Sequence, residues 1–481
     1  MNLLRKVCLA NILLFTLNVS ISFGQEMFGI SNSNFSGNMG MALNPSLFVG
    51  SPYHHEFNAI SGDFFFDNDY FYIERNSSFL RKSMFGESID KDRYKDYYND
   101  DPKTAYGSAF IRGPSYIENR ADFSWGVHTA IRSVIGANDI PVDVAKFIKE
   151  GLSYEAQQNI NYSGSSYQSN SIFWGELGGT YGRVLLEQRS EGQYNQLTAA
   201  ATLKFLIGFQ NVMLDVERLD YSVPSSDVLI VNQFNGTYGH SLDDGSDNGK
   251  DLQKPFKFRG YGGGVDVGLT YYRGKVHGGG DCNETAEIRK KYNYRLGFSL
   301  IDFGMVSFTK ETKQYSFNGE SAVFQGLDSI KFNTVHALDS TISTEFYGNP
   351  ESSLSGAKYK MFLPSALSIQ FDYCIRPSVY ANLTLVQPIP IGQYKPIRPS
   401  QSSLSVRYET RKFEVSVPLT FYQYKYPHFG LAVRYGVLVL GTDRLGSFTG
   451  LWDVTGYDLF FGLKWNVCDP DAKKKTDPYC P

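Results

Sequence analysis

Beyond its first two dozen positions, the 481-residue chain has no stretch of the roughly 20 apolar residues that a membrane-crossing helix needs. A polytopic helical transporter is thereby excluded. Basic charge is also scarce, with 46 Lys and Arg against 49 Asp and Glu and a net charge of -3, so no positive field exists for a phosphate backbone. Nucleic acid is not an expected partner. Phosphate loops, Gly-x-Ser-x-Gly elbows and zinc spacings are missing, and the seven histidines offer only the adjacent His54-His55 pair, which by itself is no metal site. The sequence therefore predicts neither an enzyme nor a bound cofactor or metal. Gly260–Gly264 and Gly278–Gly280 read as strand entry and turn geometry rather than as phosphate cradles.

What the chain has is 36 Phe, 33 Tyr, 4 Trp and 46 Gly, a composition of extended, turn-punctuated β structure. The start, Met1-Asn2-Leu3-Leu4-Arg5-Lys6, is basic; an apolar core runs to Ser22, and Ser22-Phe23-Gly24 supplies small residues at the -3 and -1 sites. Residues 1–24 read as a cleavable export signal. Export implies an oxidising compartment, where Cys282, Cys374, Cys468 and Cys480 allow three disulfide pairings. The pairing of Cys468 with Cys480 is preferred because the two flank one short polar tail.

The dominant period is two. Tyr457, Leu459, Phe461, Leu463, Trp465 and Val467 alternate with Asp458, Phe460, Gly462, Lys464 and Asn466. Leu431, Val433, Tyr435, Val437 and Val439 alternate with Ala432, Arg434, Gly436 and Leu438, and comparable patterns surround Val267, Val127, Val415 and Phe371. These runs are longer than the roughly 5 to 6 residues of an ordinary strand. About 9 to 11 tilted residues cross a bilayer, so long strands with one apolar and one polar face predict an all-β chain folded as a transmembrane antiparallel β-barrel. Strands are expected near residues 55–66, 106–113, 121–134, 172–187, 197–209, 257–272, 293–308, 365–375, 378–387, 402–410, 412–422, 428–440 and 455–467. Because both ends of a bacterial single-chain barrel lie in the periplasm, the count should be even, and about 14 strands are predicted. Residues 67–105, 210–256 and 309–364 read as long extracellular loops, and Arg376-Pro377 and Thr410-Arg411 as periplasmic turns. A short amphipathic helix is expected after Asp139-Ile140-Pro141, on Val144, Phe147, Ile148 and Leu152, ending near Gly151.

A lipid-facing charge costs about 2 to 4 kcal/mol at mid-depth, which turns the polar face inward. His128, Arg132, Lys204, Asp266, Asp372, Arg407, Glu409, Glu414, Arg434, Asp458 and Lys464 are accordingly the lumen or ligand candidates, with charges of both signs that suit a bracing network or a selective channel. Asp302 breaks the alternation of Leu296, Phe298 and Leu300, which predicts a bulge or the membrane edge.

Gly37-Asn38-Met39-Gly40-Met41-Ala42-Leu43-Asn44-Pro45-Ser46, Gly264-Val265-Asp266-Val267-Gly268-Leu269-Thr270-Tyr271 and Tyr294-Arg295-Leu296-Gly297-Phe298-Ser299-Leu300-Ile301-Asp302-Phe303-Gly304 form a recognisable set with Leu363-Pro364-Ser365-Ala366-Leu367, Arg407-Tyr408-Glu409, Gly430–Gly436 and Gly441-Thr442-Asp443. Through them the chain resembles an uncharacterised family of outer-membrane barrels near the long-chain fatty-acid transporter and the barrels associated with type IX secretion. The first stretch is similar to the Asn-Pro-Ala signature after the N-terminal plug of the transporter-like barrels, with Ser46 in place of the alanine. The resemblance implies a plug or hatch at residues 25–52, with Asn38, Asn44 and Pro45 among its residues, before a barrel at 53–467 and a periplasmic tail at 468–481.

The expected protein is thus an outer-membrane barrel of a Gram-negative cell, lipid-surrounded after signal cleavage, that transports or channels small ligands, apolar ones included. The alternative is a non-conducting structural or docking subunit of an envelope secretion or assembly complex. Lys473, Lys474 and Lys475, between the prolines of the tail, would then face a periplasmic or envelope protein partner.

Overall fold

The computed structural model describes residues 26–51, 53–75, 93–97, 99–120, 122–190, 193–243, 255–275, 292–326 and 334–467. The expected signal at 1–24, the tail with Cys468 and Cys480, and Cys282 lie outside the described residues. Cys374 is disulfide-bonded, and since no other cysteine is among the described residues, its partner lies outside them.

Among the described residues, fourteen antiparallel strands close into one ring. They are β1 (His55–Asn68), β2 (Lys103–Asn119), β3 (Phe123–Ile140), β4 (Asn161–Ser190), β5 (Gln193–Ser225), β6 (Gly260–Lys275), β7 (Tyr294–Phe308), β8 (Ala366–Arg376), β9 (Val379–Pro388), β10 (Gln401–Glu409), β11 (Phe413–Tyr422), β12 (Tyr426–Phe429 with Leu431–Tyr435), β13 (Leu438–Thr442) and β14 (Gly456–Val467). Each pairs with the next, and β1 closes the ring on β14, with His55 opposite Val467 and Phe64 opposite Leu459. The end where β1 begins and β14 finishes is called the lower end here; tight turns join β2 to β3, β4 to β5, β8 to β9, β10 to β11 and β12 to β13 there, and long excursions leave from the upper end.

The alternation read from the sequence is the inside-outside pattern of this wall. Leu203 is 71% exposed on the outer face, whereas the neighbouring Lys204 is 8% exposed on the inner one. Leu177, Phe205, Val267, Phe298 and Val406 continue the outer apolar band. Aromatic groups edge it: Phe57 with Trp465 and Tyr116 with Trp125 near the lower end, Phe173, Phe209 and Phe256 near the upper.

Thirteen strand signals became fourteen strands at one place. The stretch expected as a single strand over 428–440 is a hairpin: Tyr435 pairs with Leu438 around Gly436, whose φ of 58° lies in the left-handed region where glycine is at no disadvantage. The turn reverses the alternation, so Leu438 is exposed and Val439 is buried.

Two of the expected loops, 210–256 and 309–364, carry long strands of their own. β4 and β5 run for 30 and 33 residues and continue above the ring, where Val228–Ser241 pairs with β5 and Thr312–Gln325 pairs with Val228–Ser241. Two helices pack on this upper sheet, α1 (Val142–Glu150) and α2 (Val335–Tyr347). Helix α1 is the amphipathic helix expected after Pro141, which caps it. Its Val144 and Phe147 join Val216, Tyr221, Val223, Leu229 and Leu338 of α2 in a dry cluster. Asp339 of α2 accepts hydrogen bonds from Tyr238 and Tyr315, the latter at 2.8 Å, and lies 3.0 Å from His240 Nε2.

Candidate functional site

The inner face carries the chemistry. His128, Arg132, Lys204, Asp266, Asp372, Arg407, Glu409, Glu414, Arg434, Asp458 and Lys464 are all buried, each on a strand position whose neighbours point outward. The structure gathers all of them except Lys464, which pairs with Glu56, into three groups.

The central group is organised by Asp302 on β7. Two residues of β7, Ile301 and Asp302, fall between the pairs Leu300–Val267 and Phe303–Val265, a bulge that leaves Asp302 at φ 58° and turns its side chain into the lumen. Its carboxylate receives both terminal nitrogens of Arg132 at 2.6 and 2.7 Å, Lys204 Nζ at 2.9 Å and Arg398 Nη2 at 2.8 Å. Lys204 also pairs with Asp266 at 2.6 Å, Arg132 with Glu176 at 3.3 Å, and His128 Nε2 lies 2.8 Å from Glu176. The cavity among them is about 20 Å³, near the size of one water. Arg112, Arg132, Lys204 and Arg398 line it opposite Glu26, Glu176, Asp266 and Asp302. The lining thus carries equal numbers of acidic and basic groups.

The second group lies lower. Asp372 receives Arg407 at 2.6 and 2.8 Å and has Arg295 at 3.3 Å; Arg407 also reaches Glu409 at 2.9 Å, and Arg434 pairs with Glu414 at 2.9 Å. Such bidentate pairs fix geometry more than they add stability, because desolvation offsets most of the Coulomb gain.

The third group is unusual in its acceptors. Asp63 accepts the backbone N–H of Met27 at 3.1 Å, and Asp443 those of Phe28 at 2.8 Å and Gly29 at 3.2 Å. Asp458 in turn accepts the N–H of Asp443 at 2.5 Å. These carboxylates hold the stretch Glu26–Ser51, which is almost wholly buried.

That stretch meets strands all around the ring. Asn38 donates its N–H to Glu56 at 2.6 Å, and its carbonyl accepts from Arg112. Lys464 donates to the carbonyls of Phe35 and Ser36, and Ser33 donates to Glu414 at 2.8 Å. Asn44 caps the turn Pro45–Phe48 by accepting the Ser46 N–H at 2.9 Å, and donates to Gln370 of β8 at 2.9 Å. Pro45 opens that turn, where its missing N–H costs nothing. The capping oxygen sits so close to β6 that a Cβ on Gly268 would be 2.1 Å from it. Gly37, at φ 54°, touches Glu56 in the same way.

Glu176 was within reach of the sequence pattern, since it alternates with Leu177. Arg398 was not, because it belongs to a proline-rich connection without any period. Among the described residues no three His, Cys, Asp or Glu side chains gather in a metal-binding arrangement. The rings of His54 and His55 lie 4.3 Å apart at the lower end, tilted by 55°, and their Nδ1 atoms face the Asn119 carbonyl and Tyr116 hydroxyl.

The model of a family of unknown function, DUF5723, matches residues 45–443, so the chain belongs to that family. No curated protein matches it. Among solved structures, the toluene transporter TbuX of Ralstonia pickettii is similar at 8% identity over 93% of this chain and 98% of its own, with a TM-score of 0.41. The toluene transporter TodX of Pseudomonas putida is similar at 12% identity over 92% and 95%, with a TM-score of 0.37. A deltaS2S3 mutant of TodX, a monoaromatic hydrocarbon channel, reaches 11% identity over 93% and 98%, with a TM-score of 0.42. Likeness this loose says nothing of what the present chain carries.

Proposed function

We propose that this member of the DUF5723 family is an outer-membrane barrel that admits small ligands, apolar ones included, through a lumen plugged by residues 25–52. A closed ring with an outer apolar band, aromatic edges and a polar interior is what a bilayer demands of strands, and the export signal read at 1–24 supports the outer membrane as its place. On this reading the lower end faces the periplasm and the upper sheet faces the medium. The ligand class follows from the resemblance to the fatty-acid-transporter-like barrels.

The observation that carries the reading is the stretch Glu26–Ser51 inside the ring, fastened by hydrogen bonds to the wall. Each such bond adds about 0.5 to 1.5 kcal/mol net, or about 1.5 to 3 kcal/mol where the acceptor is charged, since water replaces it when broken. A stopper held this way is displaceable in steps, as a brace that merely stiffens a wall need not be.

The test is uptake. Cells expressing the protein should accumulate a small radiolabelled apolar compound several times faster than cells lacking it, and the barrel purified from detergent extract should come away without stoichiometric partners. Unchanged uptake, together with an envelope protein recovered at one copy per barrel, would replace transport by the docking reading, with the tail 468–481 as its first candidate surface.

A further inference from the structure

The connection between β9 and β10, residues 389–400, leaves the upper end but does not stay outside. Its backbone enters the ring and reaches the opposite wall: a Cβ on Gly136 of β3 would be 3.0 Å from the Ile397 nitrogen. Strand β3 stands six places from β9 in a ring of fourteen, close to diametrically across. Pro390, Pro396 and Pro399 fix φ along the crossing and stiffen it.

Three sets of contacts hold the crossing. Near its start the Ile389 N–H donates to the Ser365 carbonyl at 2.9 Å, and the Tyr394 carbonyl accepts from Phe362 at 2.8 Å. In the middle the buried Tyr394 ring packs edge-on against Tyr359, with centroids 5.9 Å apart. At the end Arg398, 2% exposed, meets Asp302 at 2.8 Å and Glu26 at 3.4 Å. Glu26 belongs to the segment that fills the ring from below, so the two meet at one guanidinium.

We propose that residues 389–400 are a second, upper closure of the lumen, a strap latched by Arg398 on the bulged Asp302. Two closures in series make an interlock: emptying the lower segment alone leaves the strap across the bore, and loosening the strap alone leaves the lower segment in place. Their shared contact, Arg398 with Glu26, lets the departure of one weaken the hold on the other. The strap is a property of the lumen whatever crosses it, so it does not rest on the transport reading.

Two measurements test it. In whole cells, Ile397→Cys is labelled with a membrane-impermeant maleimide from outside. Labelling should be slow in the otherwise native protein and at least about tenfold faster with Arg398→Ala, as a loss of roughly 1.4 kcal/mol in an opening equilibrium would give, while Arg398→Lys restores part of the protection. Equally fast labelling with and without Arg398 would overturn the latch. In planar bilayers, deletion of residues 26–51 and Arg398→Ala should each conduct weakly alone and strongly together. If the deletion alone conducts as well as the combination, no second closure exists. Should the deletion fail to fold, judged by migration of the unheated protein on gels, the labelling result decides by itself. Failure of ligand uptake would sink the transport reading and leave both measurements unaffected.

Discussion

Strands β4 and β5 bury opposite kinds of side chain at their two ends. In the ring, Lys204 and Glu176 are covered while Leu203 and Leu177 are bare; in the upper sheet, Val216, Tyr221 and Val223 are covered while Glu217 and Arg218 are bare. The period of two is the same in both. Its meaning changes with the surroundings: in the proposed outer-membrane placement, lipid outside the ring rewards an apolar outer face, whereas water around the upper sheet drives the apolar face under α1 and α2. An alternating strand therefore declares that it has two unlike faces and leaves open which one is inside.

If the two regions are separately stabilised, damage to one should leave the other standing. The largest effect is expected from Phe147→Ala, which empties a position 1% exposed between Tyr162 and Tyr221. A loss of about 3 to 5 kcal/mol should appear as faster hydrogen exchange in α1 and along 212–223, with the anomalous gel migration of the unheated barrel retained. Loss of that migration would show one cooperative unit instead of two. In the ring, Leu203→Arg should cost about 2 to 4 kcal/mol of folding stability in vesicles, while Arg218→Leu in the upper sheet should stay within about 0.5 kcal/mol. Similar costs for both would erase the contrast between lipid and water as the solvent.

A smaller, pH-dependent effect belongs to the upper sheet alone. Burial pushes the Asp339 carboxyl up, but hydrogen bonds from His240, Tyr238 and Tyr315 outweigh it and hold the group below its ordinary value. A depressed folded value means that the stabilisation is complete above the unfolded range near about 4 and is lost as pH falls through the folded value. Protection of α2 amides should therefore be flat in this carboxyl's contribution from neutral pH down to about 5, then fall in stronger acid, and Asp339→Asn should flatten the acid limb. An unaltered acid limb in that variant would remove Asp339 from the account. The last prediction concerns connectivity alone: if Cys468 pairs with Cys480, the bonded Cys374 is left with Cys282 among the cysteines beyond the expected signal, and non-reducing peptide mapping should recover both pairs. A peptide joining Cys374 to either tail cysteine would exclude them.

Much of the wall was legible, because each strand repeats a local rule that a window of ten residues reveals. The parity argument anticipated a count of fourteen but not where the further strand lay, because the alternation over 428–440 did not show the turn at Gly436. The upper strands at 210–241 and 312–325 were read as loops because their Asn, Ser, Gly and Tyr content resembles loop composition; the two strands within 210–241 form a local hairpin, and only 312–325 finds its partner, Val228–Ser241, far away in sequence. Inward charges followed from the cost of placing them in lipid. Their pairing did not: Asp302 meets Arg132, Lys204 and Arg398 from three other places in the chain, and only closure of the ring brings those together. Arg398 is the extreme case, a charge on an aperiodic connection whose position depends on a crossing that no local pattern encodes.

The wide scatter of the partners of Glu26–Ser51 also bears on the order of assembly. Met27 is held by Asp63, 36 positions along the chain, but Phe28 is held by Asp443 and the Phe35 carbonyl by Lys464, more than 400 positions away. Contacts at such separations form late, since the loop entropy must be overcome before they return any energy. The first of these residues to leave the ribosome are thus among the last to find their seats. Until β14 has met β1, Asp63, Asp443 and Lys464 are not brought together around these residues, so closure of the wall is expected to precede the filling of its bore.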